Sequence, residues 1–114
     1  MPNLRYLCIM GGVFKSAKVM TDIIRTQKDV LRAVSISEST CGDSWLGVLE
    51  VLRHELLLLE NVVFCHNDGF YHSCIRFNWS DGTLDSGQHA QQVIREKGVR
   101  RALDEMIATV LTLN

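Results

Sequence analysis

The sequence predicts an α+β fold, a small sheet containing a central β-hairpin with about three helices packed mainly on one face. Three observations lead there. Within Val62–Trp79, two runs rich in β-branched and aromatic residues flank Asn67-Asp68-Gly69, a strong short-range hairpin signal. Apolar residues recur at helical spacing through 13–34, 45–60 and 86–110. A short alternating stretch, Leu4–Met10, reads as a further strand. At 114 residues and 46% hydrophobic, the chain is expected to form one domain, residues 1–114, with a single core.

Taken in order, Leu4–Met10 is a strand that exits through Gly11-Gly12. A first helix begins at Val13. Lys15, Lys18, Asp22, Arg25, Asp29 and Arg32 form its polar stripe, and Phe14, Ala17, Met20, Ile24, Leu31 and Val34 lie opposite. Its β-branched tail, Val30–Ile36, suits either the helix or a strand. Ser35–Ser44 is small, polar and without period, hence a loop. Asp43 or Ser44 then caps a second helix from Trp45 to about Glu60, with Leu46, Leu49, Leu52, Leu56 and Leu59 along one face.

With an even-length loop, the hairpin turns Val62, Phe64, His66, Tyr71, Ser73, Ile75 and Phe77 toward the helices. Val63, Cys65, Phe70, His72, Cys74 and Arg76 lie on the other face. After Ser80-Asp81-Gly82, Asp85 or Ser86 caps a third helix through Lys97, which Gly98 ends or interrupts. The segment Ile107–Leu113 fits a helix or a closing strand.

A formal net charge of −1 supplies no global field toward nucleic acid or anionic lipid. The apolar stretch Leu46–Phe64 is broken by five ionisable residues and cannot span a membrane. Four cysteines with no secretory leader point to reduced thiols and a cytoplasmic or nuclear setting rather than a secreted one.

Candidate chemistry falls in five places. In the even-loop register Cys65, His72 and Cys74 share one hairpin face, but they lack the paired spacing of a zinc knuckle, and buried reduced thiols are the commoner reading. Cys65, His72 and Asp68 can be drawn as a nucleophile, base and orienting group, although no glycine turn adjoins them to hold an oxyanion. The basic cluster Arg95, Lys97, Arg100 and Arg101 suits phosphate contacts. It also suits a solvated helix face compensated by Glu96, Asp104 and Glu105.

The opening is the fourth. Pro2 becomes a secondary amine once Met1 is removed, and it is followed by a strand, a glycine exit and a helix. This resembles the start of the N-terminal-proline tautomerases, small oligomeric enzymes, and the resemblance implies Pro2 as a general base. It covers Met1 to about Gly12, with a fainter echo at Phe70–Ile94. The helical segment Ser35–Phe64 departs from the family's pattern, and a proline heading an edge strand needs no such role.

The fifth is apolar excess. Trp45, Leu57, Leu58, Phe70 and Trp79 exceed what one small core obviously holds, and large leftover apolar groups mark interfaces. The favoured reading is therefore a soluble protein–protein interaction module that forms a homo-oligomer and engages another protein, with those five residues as anchors and no cofactor. A Pro2 isomerase and a nucleic-acid accessory protein are the alternatives.

Overall fold

The structure, a computed structural model, describes residues 5–42, 45–69 and 74–113. Three extended runs come first, each in two pieces: β1 (Tyr6–Met10) with β2 (Val13–Phe14), β3 (Ala33–Ser37) with β4 (Thr40–Cys41), and β5 (Asn61–Cys65) with β6 (Asp68–Gly69). Helix α1 (Ala17–Arg25) joins the first run to the second, and α2 (Leu46–His54) joins the second to the third. β7 (Cys74–Asn78), β8 (Leu84–Asp85), α3 (Ala90–Lys97), α4 (Val99–Thr109) and β9 (Val110–Leu113) complete the chain.

The fold is α+β, as the sequence predicts, but the strand pairing differs from the expected hairpin. β5 does not pair with β7. It lies parallel to β3, with Val34 opposite Val62 and Ile36 opposite Phe64, and β3 lies parallel to β1. A period-two apolar run serves a parallel partner as well as an antiparallel one, and here the partner is far away in sequence. The hairpin is built instead from β6 and β7, with Asp68 opposite Cys74 and the Ile75 N–H donating to the Asn67 carbonyl at 3.0 Å. Asn67-Asp68-Gly69 is therefore extended chain rather than the turn.

The open sequence alternatives resolve for similar reasons. The β-branched tail after α1 becomes β3, where Val34 and Ile36 are buried between two strands. The C-terminal segment divides: helix to Thr109, then β9 antiparallel to β7. The second helix stops at His54, short of Glu60. The amides of Glu60 and Asn61 donate to the Arg32 carbonyl and start the ladder of β5 on β3, so the chain must leave the helix to reach that bond. Leu56 and Leu59 are buried in this turn, whereas Leu57 and Leu58 face outward. The expected third helix is two, divided at Gly98 with φ +92°.

Pleating sorts the sheet. Leu7, Val34 and Val62 form one row and Ile9, Ile36 and Phe64 the next, both turned toward the helices. Ile75 and Phe77 extend this surface on β7, as the hairpin pattern predicts. Met20, Ile24, Leu49, Leu52, Val93, Leu103 and Met106 close over it from all four helices. The opposite rows carry Tyr6, Cys8 and Met10, then Ser35, Ser37, Val63 and Cys65.

A transverse crease crosses the three parallel runs. Directly after the matched residues Met10, Ser37 and Cys65 come Gly11, Glu38 and His66, all left-handed with φ of +70°, +52° and +54°. Pairing resumes beyond them, with Val13 opposite Thr40 and Thr40 opposite Asp68. Each interruption is a bulge that takes a backbone group out of the ladder. Side chains from the neighbouring run replace the lost bonds. The Gly12 N–H donates to Ser39 Oγ (3.3 Å), the Ser39 N–H to Asn67 Oδ1 (3.0 Å), and Asn67 Nδ2 to the Ile36 carbonyl (2.9 Å). Ser39 is 0% exposed and Asn67 1%, so these are interior bonds.

Candidate functional site

The crease ends at a split in the sheet. On the edge of β7 away from β9, β6 pairs at Cys74 and β8 pairs at Phe77 and Asn78. Between those contacts lies a cleft of about 490 Å³, lined by His66, Asn67, Asp68, Ile75, Arg76, Asp85, Ser86 and Gln88. It sits just past the carboxyl end of β5, where parallel pairing gives way to antiparallel.

The segment after β8 builds one wall. Asp85 Oδ1 accepts from Trp79 Nε1 (3.0 Å) and from the Gly87 N–H (2.9 Å), and Oδ2 accepts from the His89 N–H (2.9 Å). The predicted cap residue therefore organises the approach to α3 while holding an indole from the core. Gly87, at φ +124°, presses against β5 so closely that a Cβ there would lie 1.8 Å from the Phe64 carbonyl oxygen. Only glycine fits.

His66 is oriented by its neighbours. Gln88 Oε1 accepts from the Ser86 N–H (3.1 Å) and Ser86 Oγ (3.0 Å), which fixes the direction of the amide. The amide nitrogen Nε2 then faces His66 Nε2 at 3.3 Å. An amide NH₂ only donates, so His66 Nε2 accepts and the ring proton sits on Nδ1. A histidine in the left-handed region is strained by about 1–2 kcal/mol, and here the surrounding bonds hold it there.

Arg76 stands across the cleft with its Nε buried and without a hydrogen-bond partner among the described residues. A buried donor left this way costs about 1–3 kcal/mol. Asp68 uses its backbone in the fold, accepting from Trp45 Nε1 at 3.0 Å through its carbonyl. Neither Arg76 nor the Asp68 carboxylate enters an ion pair among the described residues.

The residues singled out in the sequence are distributed differently. Trp45 and Trp79 are each 2% exposed, which corrects their expected place as surface anchors. They belong to an aromatic row in the core, Trp45–Phe64–Phe77–Trp79–His89, with successive centroids 5.2, 5.4, 5.9 and 5.5 Å apart. Their indole N–H groups reach the cleft walls at Asp68 and Asp85, which is how a buried tryptophan satisfies its donor. Leu57 and Leu58 are exposed, at 70% and 42%. Pro2, Phe70 and His72 lie outside the described residues.

Cys65 is half-buried on the sheet face away from the helices, and Cys8 is exposed. Burial first, and then the nearby Glu38 charge, push the Cys65 thiol up, which disfavours the thiolate a nucleophile needs. Among the described residues no group of three His, Cys, Asp or Glu side chains is placed to hold a metal. No helix there is long and apolar enough to cross a membrane.

Arg95, Lys97, Arg100 and Arg101 are all exposed around the α3–α4 corner. Lys97 pairs with Glu105 at 3.7 Å, and Arg100 Nη1 donates to the Arg53 carbonyl at 3.4 Å. Arg53 in turn pairs with Asp104 at 2.6 Å. The basic surface is thus interleaved with acid, as the compensated-face reading expects.

Sequence reasoning missed His66, Arg76, Ser86 and Gln88 as a group. The only local hint was the cap signal at Asp85-Ser86. Comparison with known proteins finds no matching family model, no matching curated protein and no matching solved structure.

Proposed function

We propose that this chain is an assembly module that associates with a second copy of itself through the outer edge of β1. One observation carries the reading: β1 is an uncharged terminal strand whose exposed apolar groups continue onto the adjoining helix. β1 ends the order β1–β3–β5, and the run Tyr6-Leu7-Cys8-Ile9-Met10 holds no charge or proline to blunt an edge. Tyr6 is 53% exposed, Met10 67% and Val13 75%.

The strand is also self-complementary. The Arg5 carbonyl and the Gly11 N–H point toward β3, so by alternation the N–H and C=O groups of Tyr6, Cys8 and Met10 point outward. A two-fold axis at Cys8 then pairs Cys8 with Cys8 of the second copy and Tyr6 with Met10. Leu7 meets Ile9 on the helix side. Every outward backbone group finds a partner, as an isologous contact requires.

Helix α1 supports the same axis. Ala17 lies against Gly47 and Arg25 bonds Glu55, so that flank faces α2. Val19 and Ile23 occupy the opposite flank and remain 49% and 41% exposed. Pairing of β1 with its copy brings these flanks toward each other and covers them.

Light scattering over a concentration series tests the reading, together with oxidative cross-linking. A dimer that forms a Cys8-dependent covalent product and is dispersed by Met10→Lys is expected. A monomer at millimolar concentration, or a dimer indifferent to Met10→Lys, overturns it.

A further inference from the structure

We propose that the cleft between β6, β7 and β8 binds a small zwitterion bearing a carboxylate and an ammonium group, the chemistry of a free α-amino acid. This goes beyond the assembly reading and involves a different part of the fold. Arg76 and Asp68 line the same cleft without pairing to each other or to any other described residue. The walls thus present one cation and one anion, each still owed a counter-charge, and a molecule carrying both signs satisfies the two together.

The remaining polar groups sharpen the choice. Asp85 is not available to a ligand cation in the same way, because both its oxygens already accept N–H bonds from Trp79, Gly87 and His89. Arg76 Nε is itself sealed from the cleft, so it is the terminal guanidinium nitrogens of this lining residue that are left to donate to a carboxylate. His66 keeps a proton on Nδ1 because Gln88 occupies its Nε2, so the ring offers a second donor to the same carboxylate. Asp68 is left to receive the ammonium. A volume of about 490 Å³ admits an amino acid with its side chain and ordered water.

The full-length, ¹⁵N-labelled protein is titrated with a panel of free amino acids, and separately with acetate and with methylammonium. At least one amino acid is expected to give saturable shifts at the amides of residues 66–68 and 85–88 below about 10 mM, while acetate and methylammonium leave them in place. Arg76→Gln and Asp68→Asn are each expected to weaken binding by about tenfold or more, as loss of a charge-assisted bond does. Arg101→Gln, outside the cleft, is expected to bind as the parent does. Should one cleft variant lose its amide dispersion, the other decides.

No saturable shift with any amino acid overturns the proposal. So does acetate reproducing the shifts, which marks a simple anion site, or binding that both cleft substitutions leave unchanged.

Discussion

Asn67→Ala is the sharpest test of how the creased sheet is held together. The side chain accepts from the Ser39 N–H and donates to the Ile36 carbonyl, at 3.0 and 2.9 Å, where Asn67 is 1% and Ser39 0% exposed. Alanine leaves the buried Ser39 N–H unpaired, worth about 1–3 kcal/mol, and strips one bond worth about 1 kcal/mol from the Ile36 carbonyl, which keeps its ladder bond to β5. Partial relief by a water entering the vacated space brings the expected loss to about 3 kcal/mol. With a urea dependence near about 1.5 kcal/mol per molar for a chain this size, the unfolding midpoint falls by about 2 M.

Asn67→Asp supplies the internal control. A protonated carboxyl can both accept from Ser39 and donate to Ile36, whereas an ionised one can only accept. The buried acid holds its proton to higher pH than the unfolded chain does, so between the two pKa values the unfolded state binds fewer protons. Stability therefore falls as pH rises through that window. Asn67→Asp should approach the parent in mild acid and resemble Asn67→Ala near neutrality. Urea unfolding at several pH values reads both variants. A loss below about 1 kcal/mol for alanine, or an aspartate variant insensitive to pH, refutes the view that this amide replaces ladder bonds.

Other consequences are equally measurable. Gly87→Ala places a Cβ 1.8 Å from the Phe64 carbonyl oxygen at φ +124°, so it should cost more than about 3 kcal/mol in thermal or urea unfolding. Glu38→Gly removes a left-handed non-glycine residue from an exposed position and should stabilise by up to about 1 kcal/mol, whereas Glu38→Val should destabilise.

Acid should weaken the fold in the low carboxylate range. Thr83, and then His89, hold Asp81 below its usual value, and Arg25 does the same for Glu55. Burial alone would raise Glu105, but the Ser80 N–H and hydroxyl together with Lys97 carry it down. For each group the folded pKa lies below the unfolded one. The contribution is therefore present above the ordinary carboxylate range and is lost as pH falls through it. Urea midpoints against pH should decline on acidification, and a rise would contradict the assignments.

Local chemistry made several parts of the fold legible. The apolar stripe Met20–Ile24 marks α1, the β-branched run at Val62–Phe64 marks a strand, and Asp85 announces the approach to α3. These depend on contacts within a turn or two of chain, where residue type and spacing dictate the outcome. The apolar-excess reading expects Leu57 and Leu58 at the surface, and both are exposed. It was misplaced at Trp45 and Trp79, because an indole's size says nothing about whether a distant backbone carbonyl or carboxylate will satisfy its N–H.

What pattern alone determined was which residues are extended, which are helical and which face is apolar. Tertiary structure decided who pairs with whom. A period-two run is indifferent to the direction of its neighbour, so only the closing of β3 against β5 set the parallel sheet and moved the hairpin to β6 and β7. The crease and the cleft belong to that second class. Glu38 and His66 become strained, and Asn67 becomes a substitute for backbone, only because three separate runs break at the same level. Arg76 is left facing a gap for the same reason: β6 and β8 meet β7 at different points along its length. Those alignments are long-range facts, and no short window of sequence contains them.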